Sequence, residues 1–198
     1  MKIPTEDYME DIRSKLIDAT YKEVFANGYG ATSLSNILKA SDCTKGSMYH
    51  YFKSKKELIL AMIEEKIAKK TQEFWQDLES TETNIIEFLI YMFKDTSKRD
   101  FAKGCALGNI LQESLINDED FATLVKNIFA QWQELFRKTL EKAKFNNEIK
   151  NIDTQNVSLF LIASFEGALL LSKQSQSSKE YDICIEQLII YLDSLKNN

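Results

Sequence analysis

Thr32–Leu58 reads TSLSNILKASDCTKGSMYHYFKSKKEL. Two short runs of helical periodicity are joined by the tight turn Ser41-Asp42-Cys43, and a longer helix starts directly after them. Thr32 or Ser33 caps the first run, whose apolar face is Leu34, Ile37 and Leu38, because a hydroxyl can accept from the free amides of a first helical turn. Thr44 caps the second run, Lys45–Tyr51. Ser54 and Glu57 then stand three residues apart, the spacing in which each side chain satisfies the other's backbone amide, and open the longer helix. This is the layout of a helix-turn-helix, in which the second helix enters a major groove about 12 Å wide.

Charge follows the same division. Between residues 39 and 56, Lys39, Lys45, Lys53, Lys55 and Lys56 stand against Asp42 alone, a local balance of +4. Residues 61–198 carry 16 Lys+Arg against 22 Asp+Glu, a balance of −6. One end of the chain suits a phosphate backbone and the remainder does not.

Outward from this stretch, apolar residues recur at three- and four-residue spacings through most of the 198 residues, with Gly 6 and Pro 1. The pattern predicts an all-α protein. A first helix spans about 8–27, with Ile12, Leu16, Ala19, Thr20 and Val24 inward and Gly28 ending it. The long helix from Ser54 reaches about Leu78, and further helices are expected at 83–96, 105–116, 120–145, 154–174 and 178–196. The expected domains are 1–53, three helices with the helix-turn-helix, and 54–198, six helices. The opening MKIPTEDYMEDIR is polar and acidic and does not read as a signal peptide. No apolar run is expected to serve as a membrane span, since Ser158, Ser164 and Glu166 interrupt the strongest one. A cytoplasmic location without a membrane partner is the expectation. Cys43, Cys105 and Cys184 lie far apart, without the spacing of a zinc site or disulfide framework, and no cofactor is expected.

The helix Lys45–Tyr51 carries the chemistry for DNA. Lys45 can reach guanine acceptors or a phosphate, Ser47 is small enough for a deep approach, and Gly46 lets backbone come close. Tyr49 and His50 are expected on its outer side, while Met48 and Phe52 pack inward. Thr44, Tyr49, Tyr51 and Lys55 are candidates for phosphate contacts, which set register without reading sequence, and Thr32 and Ser33 sit at the start of the preceding helix.

Arg13–Leu58 resembles the N-terminal domain of the TetR/AcrR family of transcriptional repressors. The resemblance rests on Ala19, Phe25, Gly28-Tyr29, Thr32-Ser33, Ile37, Lys39-Ala40, Thr44-Lys45-Gly46-Ser47, Tyr49, Tyr51-Phe52 and Lys55-x-Glu57-Leu58. The turn departs from the family, which usually has Gly-Val where this chain has Asp42-Cys43. The resemblance implies an all-helical homodimer on a pseudo-palindromic double-stranded DNA operator, released when a small-molecule effector shifts the long fourth helix.

Effector pockets are apolar with a few polar groups, and the candidates for this one are Trp75, Tyr91, Asn109, Glu113, Trp132 and Glu166. A buried acid beside an aromatic ring would favour a cationic ligand. Ser164, Gly167, Ala168 and Leu171 form a small-residue patch, and Ile185, Leu188, Ile189 and Leu192 an apolar stripe. These are the expected dimer interface, two helices from each subunit forming a four-helix bundle. The rival readings are a helical protein-binding adaptor that ignores DNA, and an enzyme, for which the chain lacks a Gly-rich phosphate loop, a metal cluster and a nucleophile motif.

Overall fold

The computed structural model describes residues 6–97, 99–114 and 118–197. Ten α-helical segments follow one another among them: α1 Glu6–Asn27, α2 Leu34–Ser41, α3 Lys45–Tyr51, α4 Lys55–Met62, α5 Lys69–Ser80, α6 Ile85–Lys94, α7 Ala106–Ser114, α8 Glu119–Phe145, α9 Thr154–Ser175 and α10 Lys179–Leu195. The π-helical stretch Ile63–Ala68 joins α4 to α5 without a break, so nine helical rods result among the described residues. The only sheet-like pairing there is one bridge, Ile149 with Lys196.

The ends of these helices follow local side-chain chemistry. Ser33, Thr44, Ser54 and Asp153 each accept from the amide three residues on, at the starts of α2, α3, α4 and α9. Ser54 supplies its half of the expected capping box, while Glu57 reaches back to accept from Lys53 N at 2.8 Å, one residue ahead of the cap amide that such a box engages. Gly28 leaves α1 at φ +82, where an L side chain is disfavoured. Asp42 ends α2 at φ 54, so the turn that departs from Gly-Val still takes the left-handed conformation.

The chain divides into two compact units. The first is Met1–Lys70 with Asn109–Leu124, and the second is Thr71–Gly108 with Val125–Asn198. The first unit extends past the expected boundary after residue 53, taking in α4 and a later segment of chain. The physical reason is burial: Leu58, Ile59 and Met62 of α4 are fully buried together with Leu16, Ile17, Ile37 and Met48. Ion pairs between α1 and the long rod frame this core, Arg13 with Glu65 at 2.5 Å and Lys66 with Asp18 at 2.6 Å.

The second unit packs α5, α6, α8, α9 and α10 around Trp75, Phe93, Trp132, Phe136, Phe165 and Tyr181. Its α9, Thr154–Ser175, reaches a mean hydropathy of 1.3 and is long and apolar enough to cross a membrane by those measures, contrary to expectation. Its inner side, including Leu161, Phe165 and Ala168, lies in the core, while Leu159, Phe160, Leu170 and Leu171 face outward.

Candidate nucleic-acid interface and effector site

In α3, Met48 is fully buried and Phe52, just past its end, is 3% exposed. That anchoring turns Lys45, Gly46, Tyr49 and His50 outward, all of them exposed. The Lys45 ammonium lies 5.8 Å from the centre of the Tyr49 ring. Thr44 Oγ1 accepts from Ser47 N at 3.0 Å, and Ser47 Oγ donates to Thr44 O at 2.8 Å. A Cβ built at Gly46 meets nothing nearer than Thr44 Oγ1 at 3.8 Å. Among the described residues, no atom crowds that position.

Other expected DNA contacts are engaged within the unit. Thr32 is 3% exposed and donates from Oγ1 to Gly28 O at 2.6 Å, so it closes the turn instead of facing outward. Lys55 Nζ donates to Thr32 O at 2.8 Å, which ties the start of α4 to that turn. The Tyr51 hydroxyl is buried without a hydrogen-bond partner among the described residues, and its ring packs against His50. Ser33 accepts from Asn36 N at 3.1 Å as the cap of α2. Lys39 and Lys53 are exposed and complete the basic surface.

The six effector-site candidates separate. Trp75 and Trp132 are buried, with ring centres 5.9 Å apart, and both lie against Phe165, at 5.7 and 5.5 Å. Glu166 follows Phe165 in α9; one of its carboxylate oxygens and the Trp132 indole nitrogen are buried without a partner among the described residues. Tyr91 is 60% exposed and does not join them. Asn109 and Glu113 belong to the first unit. The exposed Glu113 accepts from Tyr29 N at 2.5 Å and from Gly30 N at 3.3 Å.

Arg99 is the residue that sequence reasoning missed. Its guanidinium lies over Phe165 at 4.6 Å, Phe74 at 4.9 Å and Tyr181 at 5.2 Å, and it donates to the carbonyls of Asp95 and Met92. Burial lowers the Arg99 pKa from its ordinary value. Desolvation raises that of Glu166, against the opposing effects of a Cys105 hydrogen bond and the Arg99 charge. Burial, with Glu166 nearby, pushes the Cys105 thiol up, and desolvation pushes Tyr181 up to about 12. Cys105 therefore stays a thiol, the reverse of what a reactive thiolate requires. A cation already occupies the aromatic faces, which weakens the sequence argument for a cationic ligand. A groove of about 460 Å³ between α6 and α10 is lined by Lys94, Asp182, Ile185 and Ile190 among others and shares Tyr181 with the cluster.

The expected dimer interface also divides. Ala168, Ile185, Leu188 and Leu192 are at most 3% exposed and lie in the protomer core, unlike the outward position that an interface residue needs. Leu171 is 48% exposed, and Ser164, Gly167 and Ile189 are half-buried. The outward apolar residues are Leu159, Phe160, Leu170 and Leu171 on α9 and Ile183 and Ile190 on α10.

One unit with a helix-turn-helix and a basic outer face, and a second all-helical unit with an aromatic core, are the parts of a DNA-binding transcriptional regulator of the ligand-responsive kind. Residues 16–62 match the model of the tetR family of bacterial regulatory proteins, and residues 82–187 match that of the LmrA/YxaF-like transcriptional regulator C-terminal domain. The chain belongs to the TetR family. It is 28% identical over 172 residues to an uncharacterized HTH-type transcriptional regulator in the lacX 3′ region of Lactococcus lactis subsp. lactis, covering 85% of this chain and 86% of that one. It is 23% identical over 191 residues to the HTH-type transcriptional repressor DhaR of Mycobacterium sp. (strain GP1), covering 94% and 96%. Its fold is similar to that of the reduced form of E. coli NemR, with a TM-score of 0.82, 23% identity and coverage of 94% and 98%.

Proposed function

We propose that this protein is a repressor that binds a pseudo-palindromic operator as a homodimer in the cytoplasm and leaves it when a small molecule enters the second unit. The observation that carries the reading is the outer side of α3, where Lys45, Gly46, Tyr49 and His50 all stand exposed. Thr44, Ser33 and Ser47 hold the ends of the reading helices, and Lys39 and Lys53 supply phosphate contacts. Two copies related by a two-fold axis would place their α3 helices in successive major grooves.

The exposed apolar residues of α9 and α10 support a second copy as the occupant of that face. A Cβ at Gly167 meets nothing within 4 Å, which suits a close helix crossing there. For the effector, Trp75, Trp132, Glu166 and Arg99 offer apolar surface with two buried polar atoms that lack partners among the described residues. Effector binding releases DNA only if the ligand favours the DNA-incompetent state.

Selection of genomic fragments by the purified protein, followed by footprinting, tests the reading. A protected inverted repeat is expected. Absence of any enriched site, with or without cell extract, would sink it.

A further inference from the structure

We propose that Glu113 is a positioning residue for DNA reading: its carboxylate, seated where Gly28 has no side chain, pins the turn between α1 and α2. The inference rests on the DNA-binding reading above and goes beyond it by naming a residue that touches no DNA.

The geometry is that of a socket. A Cβ built at Gly28 would lie 2.7 Å from Glu113 Oε2, 2.8 Å from Oε1 and 3.0 Å from the carboxylate carbon. The two amides just past α1, Tyr29 N and Gly30 N, donate to Oε2. A carboxylate at the C-terminal end of a helix opposes the helix dipole. It gains from this place only through those two charge-assisted hydrogen bonds.

The pinned turn is short and tied at both ends. Thr32 Oγ1 donates to Gly28 O at 2.6 Å, and Lys55 Nζ donates to Thr32 O at 2.8 Å. Ser33, the next residue, caps α2, so displacement of residues 28–32 must move the start of the helix-turn-helix. The same returning segment grips twice more. Phe121 packs edge-on against Tyr29 with ring centres 4.8 Å apart. Asp118 and Asp120 pair with Lys56 at 2.8 and 2.5 Å. Of these three grips, the Glu113 socket alone holds backbone, which makes it the one that fixes the path of the chain.

The direction of the effect separates positioning from charge. Removing an acidic residue from a DNA-binding unit should, by electrostatics alone, strengthen binding to any duplex. Positioning requires the reverse. Glu113→Ala is expected to weaken binding to the duplex recovered by fragment selection about tenfold, in line with lost hydrogen bonds to a charged group. The salt dependence should be unchanged, because no phosphate contact is lost. Glu113→Gln keeps an acceptor in place and should recover most of the loss. Equal or tighter binding by Glu113→Ala, with the wild-type protein binding normally, overturns the proposal.

Hydrogen exchange of the free full-length protein reads the socket without DNA. The Tyr29 and Gly30 amides should lose protection in Glu113→Ala and keep it in Glu113→Gln, while amides of the second unit do not change. Unaltered exchange at those amides also overturns the proposal, whatever happens with DNA. If the wild-type protein binds no duplex but the exchange result holds, the socket stands as a hold on the turn and its role in DNA reading is overturned.

Discussion

The two units are stabilised by different means. The first holds its helices with a mostly aliphatic core, joined by Phe52 and Phe121, and a frame of polar contacts such as Arg13 with Glu65, Lys66 with Asp18, and Lys55 with a backbone carbonyl. The second is built on interlocking rings, with Trp75 in contact with Phe74, Phe93, Trp132, Phe136 and Phe165. Exposed ion pairs contribute little each and weaken in salt. Packed aromatic clusters contribute much and tolerate little change. A unit that reads DNA needs an outer face free of apolar demands, and a unit that takes up small molecules needs an interior.

The largest test of that contrast is Trp75→Ala. It should cost about 3–5 kcal/mol in denaturant unfolding, the range for truncating a large buried aromatic side chain. A cost below about 1 kcal/mol would mean that the ring cluster does not carry the second unit. Next in size is Lys45→Ala, which should lose about 1–3 kcal/mol of operator affinity and relax preference at one base position. Uniform weakening across sequences in a binding-site selection would make Lys45 a backbone contact instead.

Third is Glu166→Gln. Burial raises the Glu166 pKa above its ordinary value, so the folded protein holds this proton more tightly than the unfolded chain does. The stabilising contribution is complete below the unfolded-state pKa and is lost as pH rises through the folded one. Glutamine has no proton to lose. The variant should match the wild type in acid and exceed it in stability toward neutral pH. A constant gap between the two across that range would place the carboxylate in solvent. The smallest effect is Lys15→Ala on α1, which breaks an exposed pair with Asp11 and should cost no more than about 0.5 kcal/mol in a thermal melt.

The helices were legible because their ends are written in local chemistry. Ser33, Thr44, Ser54 and Gly28 stand where a cap or a positive φ is needed, and the expected Lys45–Tyr51 matches α3 as observed. What stayed hidden depends on residues distant in sequence. Arg99 sits in a connecting segment, and only the fold brings Phe74, Phe165 and Tyr181 around it. Glu113 meets Tyr29 across 84 residues of chain. In α10 two apolar rows have helical spacing, Ile185-Leu188-Leu192 and Ile183-Ile190, and periodicity alone does not say which one turns inward. The π-helical stretch Ile63–Ala68 contains no glycine or proline to announce it.

Both tryptophans of the protein, Trp75 and Trp132, lie in that one ring cluster. The chain therefore carries its own optical probe, and it reports from a single place. Tryptophan emission will register a molecule that enters beside Phe165, while the DNA-reading unit, which has tyrosines but no tryptophan, stays dark. A fluorescence titration with effector and an anisotropy titration with labelled duplex thus observe separate events, and comparing their midpoints would give the coupling energy between them.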